Sequence, residues 1–207
     1  MKILDVCRCL AAGAGSAAGR RGDDDLNPEL CDAMSKRPLI RAAVLVPIVE
    51  RQDGLSLLLT RRTDHLDVHA GQISFPGGRL EAGEDAQAAA LRETEEEVGL
   101  PRHHVRLIGR LDTYVTRTGF VVEPVVGALK PPFPVAPDSF EVAEVFEVPL
   151  SFILAPGSRQ RHSRMFQGAR RSFYAFAYGD HYIWGATAGM LVNLADVLNA
   201  GAGPSRD

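Results

Sequence analysis

Between Gly78 and Leu100 the chain reads GRLEAGEDAQAAALRETEEEVGL, and Glu93, Glu96 and Glu97 recur in it at helical spacing. At 100° per residue the three fall within an arc of roughly 100°, so one helix would present their carboxylates side by side. Grouped hard oxygen donors suit Mg²⁺ or Mn²⁺, and zinc is disfavoured because neither His nor Cys joins them. The acids stand at the C-terminal end of that helix, where the dipole is negative and carboxylates are unfavourable. Glu93 and Glu97 are also an i,i+4 like-charge pair, which weakens an isolated helix and which a bound cation would turn into a stabilising one.

The helix that carries these acids needs a second face to hold it in place. Leu91, Thr94 and Val98 form a stripe about a third of a turn away and are expected to pack. Ala86 and Ala89 share the acids' own stripe, and their small side chains are expected to leave room for a bulky anion. Gly99 should end the helix, with Pro101 blocking its continuation. On the other side, Pro76-Gly77-Gly78 lets the backbone approach phosphates and delivers the helix at a fixed angle.

The spacing itself is specific. Gly78, five residues to Glu84, seven to Arg92-Glu93, then Glu96-Glu97, Gly99 and Leu100 resemble the Nudix box of hydrolases that act on nucleoside diphosphates linked to another group. Thr94 stands where that family has a bulky aliphatic residue. The resemblance implies an α/β Nudix fold, a mixed β-sheet sandwiched between helices. It implies metal binding by Glu93, Glu96 and Glu97, an orienting role for Arg92, and Mg²⁺ or Mn²⁺ as cofactor. In the family the general base moves between the box and loops, so Glu93 is one candidate among several.

The preceding segment, LLTRRTDHLDVHAGQISFPGG, resembles the motif found before the box in the coenzyme A pyrophosphatase branch. It matches at Leu58, Leu59, Thr60, Arg62, Gly71, Phe75, Pro76, Gly77 and Gly78. Thr63 replaces a serine, and Asp67 stands where the branch has an arginine. Ile183 to Ala188, and Glu141-Val142 through Val148-Pro149-Leu150, resemble it too, so the likeness runs from about Arg41 to Leu198. The implied reaction is cleavage of coenzyme A or acyl-CoA to 3′,5′-ADP and 4′-phosphopantetheine or its acyl derivative. The alternatives are another nucleoside diphosphate derivative (ADP-ribose, a nicotinamide dinucleotide or a nucleoside triphosphate) and a non-catalytic binding module.

Substrate-binding candidates are therefore Arg62, Gly77 and Gly78. Arg61, His65 and His69 could offset the charge lost at Asp67, although the two histidines read more simply as surface residues. Glu141 and Glu144 could supply a further acid, against a default reading as solvent-facing strand charges. Trp184 is expected to be buried against the last helix.

Local patterning fills in the frame. RAAVLVPIVE, the Asp53-Gly54 turn and LSLLLT read as a hairpin that leads directly to Arg61 and Arg62. Gln72 to Phe75 reads as a short strand. VRLIGRLDTYVT and FVVEPVVGAL read as two long strands about Thr118-Gly119, with Pro124 marking an edge or a bulge. KPPFPVAP is a stiff loop. EVAEVFEVPL, RRSFYAFAY and HYIW are further strands, the last two closing the fold. Ala186 to Leu198 is a final helix with Leu191, Leu194, Ala195 and Leu198 inward. A short helix is expected near Asn27 to Ser35, with Pro28 early in it.

The 207 residues suggest one domain with extensions. Residues 1–25 are expected to be a flexible N-terminal extension because AAGAGSAAGRRGDDD is small, glycine-rich and charged. Residues 26–200 form the hydrolase domain, and 201–207 a flexible tail. A net charge of -3 without a long Lys/Arg cluster argues against nucleic-acid binding. The longest apolar run, Ala42 to Val49, is too short to span a bilayer, so no membrane partner is expected. Cys7, Cys9 and Cys31 form neither a disulfide framework nor a metal pattern, which fits a reducing cytoplasm. The expected partner is a small nucleoside diphosphate derivative such as coenzyme A, with a homodimer compatible with the sequence.

Overall fold

A computed structural model describes residues 1–13, 19–30, 38–65, 70–166 and 168–201. Its centre is a hairpin of two long strands, β2 (Ile40–Arg51) and β3 (Gly54–Arg62), paired antiparallel from Ile48↔Leu57 to Arg51↔Gly54. The apolar run of β2 is nearly continuous because both of its faces are covered. Ala42, Val46 and Ile48 face one core cluster, while Ala43 and Leu45 face another.

Two short strands pair with this hairpin, β4 (Ile73–Ser74) and β5 (Gly77–Arg79), and a third, β1 (Arg20–Gly22), lies at the far edge of the sheet. Downstream come β6 (Val105–Arg110), β7 (Thr113–Val115), β8 (Phe120–Leu129) and β9 (Val142–Pro149). The main sheet runs β1-β7-β8-β2-β3-β4, with β5 on β2, β6 on β8 and β9 on β3. It is mixed, since β8 lies parallel to β2 while β3 lies antiparallel to it. The predicted long strand over 105–116 is split into β6 and β7. Pro124 sits where β8 changes partner, between the β6 pairs ending at Val125 and the β7 pairs beginning at Val122. Pro124 is thus interior rather than at an edge, and its missing N–H falls at the break between the two partner strands.

The acidic helix, α2 (Ala86–Val98), covers one face, following an N-terminal helix α1 (Ile3–Gly13). The opposite face carries α3 (Leu150–Leu154) and α4 (Ala186–Gly201). A separate three-stranded sheet of β10 (Gln160–Phe166), β11 (Ala169–Tyr178) and β12 (His181–Trp184) packs beside α4. The expected closing strands therefore form their own sheet. The arrangement is the expected mixed sheet between helices, and Leu191, Leu194, Ala195 and Leu198 of α4 are all buried.

Several expectations need correction. Residues 1–25 are not simply a flexible extension. Ile3, Val6, Cys9 and Leu10 of α1 are buried, Cys9 Sγ lies 3.7 Å from the Leu198 carbonyl, and Arg20–Gly22 pairs with β7. The apolar stripe of α1 at helical spacing covers the outer side of α4, which is why α4 is buried nearly all round. The helix expected near Asn27 to Ser35 is a 3₁₀ turn at Pro28–Leu30, and 31–37 lie outside the described residues. Trp184 is only partly buried, on the outer face of the small sheet beside Phe173 and Arg164; Ile183 is the residue that points into the core. Cys7 and Cys9 are free thiols, while Cys31 and the tail beyond Gly201 lie outside the described residues.

Candidate active site

Both ends of α2 are fixed by local chemistry. The Asp85 carboxylate accepts the Ala88 N–H at 2.8 Å as an N-cap. Gly99 adopts φ 67°, a left-handed conformation suited to glycine, and its N–H bonds to the Glu95 carbonyl. Ala89, Ala90, Thr94, Glu97 and Val98 are its buried residues. Ala86 and Ala89 do not leave open space for an anion, as their spacing had suggested: Ala86 packs half-buried against the cluster in which Ala89 lies. Ala89 and Ala90 are fully buried against Ala43, Leu45 and Val125, and their small size lets the helix lie close to β2. Thr94 packs as expected and returns its hydroxyl to the Ala90 carbonyl at 2.6 Å. Leu91 is only partly buried.

Arginines compensate the crowded acids. Arg92 grips Glu84 with two hydrogen bonds, Nε to Oε1 at 3.0 Å and Nη2 to Oε2 at 2.9 Å. Its Nη1 reaches Glu93 at 2.9 Å and Glu96 at 3.0 Å, and Nη2 also donates to the Arg79 carbonyl. The Glu84 carboxylate first, and then that of Glu93, hold the Arg92 guanidinium firmly protonated, and Arg92 in turn, with the Glu81 N–H, holds Glu84 below the usual carboxylate range. Arg102 binds Glu95 on the outer side of the helix. Local cations thus relieve part of the penalty that the spacing had assigned to a metal alone.

Glu97 is treated differently. It is 7% exposed, accepts the Gly77 N–H at 3.1 Å and faces Arg62 Nη1 at 3.6 Å. Burial pushes its carboxyl up to about 7, and the Gly77 N–H and Arg62 only partly offset this. Burial also raises Glu93, against the pull of Arg92. A carboxylate so incompletely compensated is a place where a further positive charge is favourable.

The two glycines act by close approach. A Cβ on Gly78 would lie 2.4 Å from the Glu93 carboxylate, and one on Gly77 would meet the Ala43 carbonyl at 2.3 Å. The loop therefore lies directly on the acids, and β5 seals it to β2 through Val44↔Gly77 and Ala43↔Gly78. All of Arg62, Gly77, Gly78, Arg92, Glu93, Glu96 and Glu97 come together, with Glu96 at the solvent edge.

Two residues join that set. Glu141, half-buried just before β9, adds the smallest of the named contributions that raise Glu93 and Glu97. Thr63 pins this segment, its N–H on the Glu141 carbonyl at 3.0 Å and its hydroxyl on the Phe140 carbonyl at 2.8 Å. Glu84 was part of the spacing and proves to be the anchor of Arg92. Glu144 stays apart, bound by Arg61 and His181 at 3.1 Å each. Burial raises Glu144, and those two hydrogen bonds outweigh it, for a net lowering. His65 is exposed and rests on Phe140. Asp67 and His69 lie outside the described residues.

The donor set fits a hard divalent cation: every candidate ligand is a carboxylate, and Glu97 is buried without full compensation. Among the described residues no three acidic, histidine or cysteine side chains already stand at ion-holding distance, and Arg92 engages one oxygen each of Glu93 and Glu96.

Comparison with known proteins agrees with this geometry. The NUDIX domain family matches residues 39–168. The chain is 43% identical over 157 residues to the Nudix hydrolase NudL of Escherichia coli strain K12, covering 75% of this chain and 81% of that protein. NudL of Escherichia coli O6:H1 strain CFT073 is similar at the same identity and coverage. A Caenorhabditis elegans Ap4A hydrolase binary complex is similar in structure, with TM-score 0.45 and 24% identity over 53% of this chain and 80% of that one. Because the family match spans more than half of the sequence and is joined by the NudL likeness, the chain belongs to the Nudix hydrolases, enzymes of nucleoside diphosphate derivatives that generally use divalent metal ions.

Proposed function

We propose that this hydrolase cleaves the diphosphate of coenzyme A or an acyl-CoA, with water, to 3′,5′-ADP and 4′-phosphopantetheine or its acyl derivative. The observation that carries the reading is the pairing of Arg62, from the segment resembling the coenzyme A branch, with Glu97 of the box. Arg62 Nε is buried and has no hydrogen-bond partner among the described residues, a donor suited to a phosphate oxygen.

In this reading Glu93, Glu96 and Glu97 hold Mg²⁺ or Mn²⁺. The ion supplies charge that stabilises the phosphoryl transition state and makes water more acidic. Gly77 and Gly78 leave the backbone open to the diphosphate, Arg62 orients it, and Arg92 and Glu84 keep the acids in place. Water attacks one phosphorus, the bond to the bridging oxygen breaks, and the second phosphate leaves with that oxygen. Free thiols at Cys7 and Cys9 are in keeping with a cytoplasmic location, which belongs to the same reading. Among the described residues no helix is long and apolar enough to cross a membrane.

A second reading keeps this chemistry on ADP-ribose, a nicotinamide dinucleotide or a nucleoside triphosphate. Asp67 favours it, because an acid stands where the coenzyme A branch has an arginine. A substrate panel with Mg²⁺ or Mn²⁺, its products identified by mass, separates the two. The first reading expects coenzyme A to have the highest kcat/KM, and cleavage of other dinucleotides with coenzyme A untouched would defeat it.

A further inference from the structure

Phe140 stands on the turn that leads into β9 and is 64% exposed, although its backbone is firmly held. Its N–H donates to the Asp138 carboxylate at 2.8 Å, and its carbonyl accepts the Thr63 hydroxyl at 2.8 Å. Asp138 donates its own N–H to the Glu97 carbonyl at 3.0 Å, and its carbonyl accepts the N–H groups of Glu141 at 3.1 Å and Val142 at 2.8 Å. The turn is therefore fastened to α2 at the residue whose carboxylate is buried in the site. An exposed phenylalanine by itself needs no explanation. One fixed beside these acids offers a flat apolar surface in a set place.

The ring and the acids share one opening. Glu141, next in the chain, is half-buried, and Arg62, whose strand position pairs with Val142, keeps 27% of its side chain exposed where it meets Glu97. His65 adds a second ring, its centre 4.9 Å from that of Phe140 and its plane inclined at 59°, within the range of paired aromatic rings. The two rings come from the segments that follow Arg62 and precede Glu141. From Val142 to Phe140 is two residues, at most about 7 Å of chain. In a nucleoside 5′-phosphate six bonds lead from phosphorus to the glycosidic nitrogen, about 7 Å at roughly 1.2 Å per bond. A phosphate held at Arg62 would bring its base to the Phe140 ring.

We infer that Phe140, with His65 at its edge, is the shelf on which the nucleobase of the substrate stacks. Stacking uses the flat face that every base has, so the shelf selects substrates that carry a base without choosing among bases. The inference rests on the diphosphate site proposed above and not on the choice of coenzyme A, because ADP-ribose, a nicotinamide dinucleotide and a nucleoside triphosphate carry a base too.

Steady-state kinetics of metal-supplied Phe140→Ala, Phe140→Leu and Phe140→Tyr on coenzyme A and ADP-ribose test it. The backbone bonds of the turn do not depend on the side chain, so the variants should fold. Alanine and leucine should raise KM about tenfold, with kcat reduced less, and tyrosine should keep the parent KM. Leucine retains apolar area, so its failure separates stacking from burial. Inhibition by 3′,5′-ADP should weaken about tenfold in Phe140→Ala, while inhibition by methylenebisphosphonate, a diphosphate analogue without a base, should not change. Weakening of both would assign Phe140 to the shape of the turn and overturn the shelf. Phe140→Trp gives a measure independent of turnover: adenosine 5′-diphosphate should quench its fluorescence beyond the response of the parent, whose only tryptophan is Trp184. Unchanged KM and inhibition in Phe140→Ala, with no added quenching in Phe140→Trp, would overturn the shelf and leave the hydrolase reading standing. Added quenching in a metal-supplied protein that cleaves no diphosphate would support the shelf and overturn the proposed chemistry.

Discussion

The Arg62 guanidinium stands 3.6 Å from the Glu97 carboxylate, and this contact joins the strand leading into the substrate loop to the helix that carries the acids. It leaves Glu97 undercompensated, because burial outweighs the arginine and the Gly77 N–H. One site thereby gains a buried acid poised for a cation and a half-buried arginine whose Nε has no hydrogen-bond partner among the described residues.

The first consequence is a trade of stability for function at Glu97. Its folded carboxyl is raised from 4.5 to about 7, so in metal-free protein the native state binds more protons than the unfolded one between these values. Stability is fully present below pH ~4.5 and falls as pH rises through about 7, by about 3 kcal/mol. Glu97→Gln should remove that slope, making the metal-free variant more stable than the parent by about 1 to 3 kcal/mol at pH ~8 while abolishing turnover. Urea unfolding at pH ~5 and ~8 checks the sign.

Metal binding should carry the same signature. Ionised carboxylates are needed to hold a cation, so Mg²⁺ or Mn²⁺ should raise Tm more at pH ~8 than at pH ~5. Thermal melts with and without the ion, followed by removal with a chelator, read this directly, and an equal shift at both pH values would contradict it.

Gly78→Ala tests the approach of the loop to the acids. The new Cβ would fall 2.4 Å from the Glu93 carboxylate and push it aside. Turnover is expected to drop by about a hundredfold, in line with small misplacements at reacting centres, while the fold survives. Circular dichroism and kcat, measured together, separate the two effects.

Arg62→Lys keeps a charge near Glu97 but loses the planar donor set with its spare Nε. Its KM should rise about tenfold, with kcat reduced less, as expected for lost substrate binding. An unchanged KM would assign Arg62 to positioning Glu97 alone.

The acidic helix, its Gly99 stop and the central hairpin were legible because each rests on a short-range signal, although the turn read at Asp53-Gly54 forms one residue earlier, at Gln52-Asp53, and the Asp85 cap was not read. The site residues came together because their spacing places them on one helix and one loop. α1 was obscured by its neighbours, since the glycine-rich stretch after Leu10 outweighed the apolar spacing of Ile3, Val6 and Leu10. β10 gave no alternation because QRHSRMF is an edge strand with mostly exposed side chains. Ala89 and Glu141 depend on what lies across from them, the close face of β2 and the start of β9, which helical spacing cannot report.

The most direct test is mass analysis of coenzyme A incubated with Mg²⁺ or Mn²⁺ and either the parent protein or Glu97→Gln. The account predicts 3′,5′-ADP and 4′-phosphopantetheine from the parent and neither from the folded variant. Equal product from both, or none from a folded, metal-supplied parent, would contradict it.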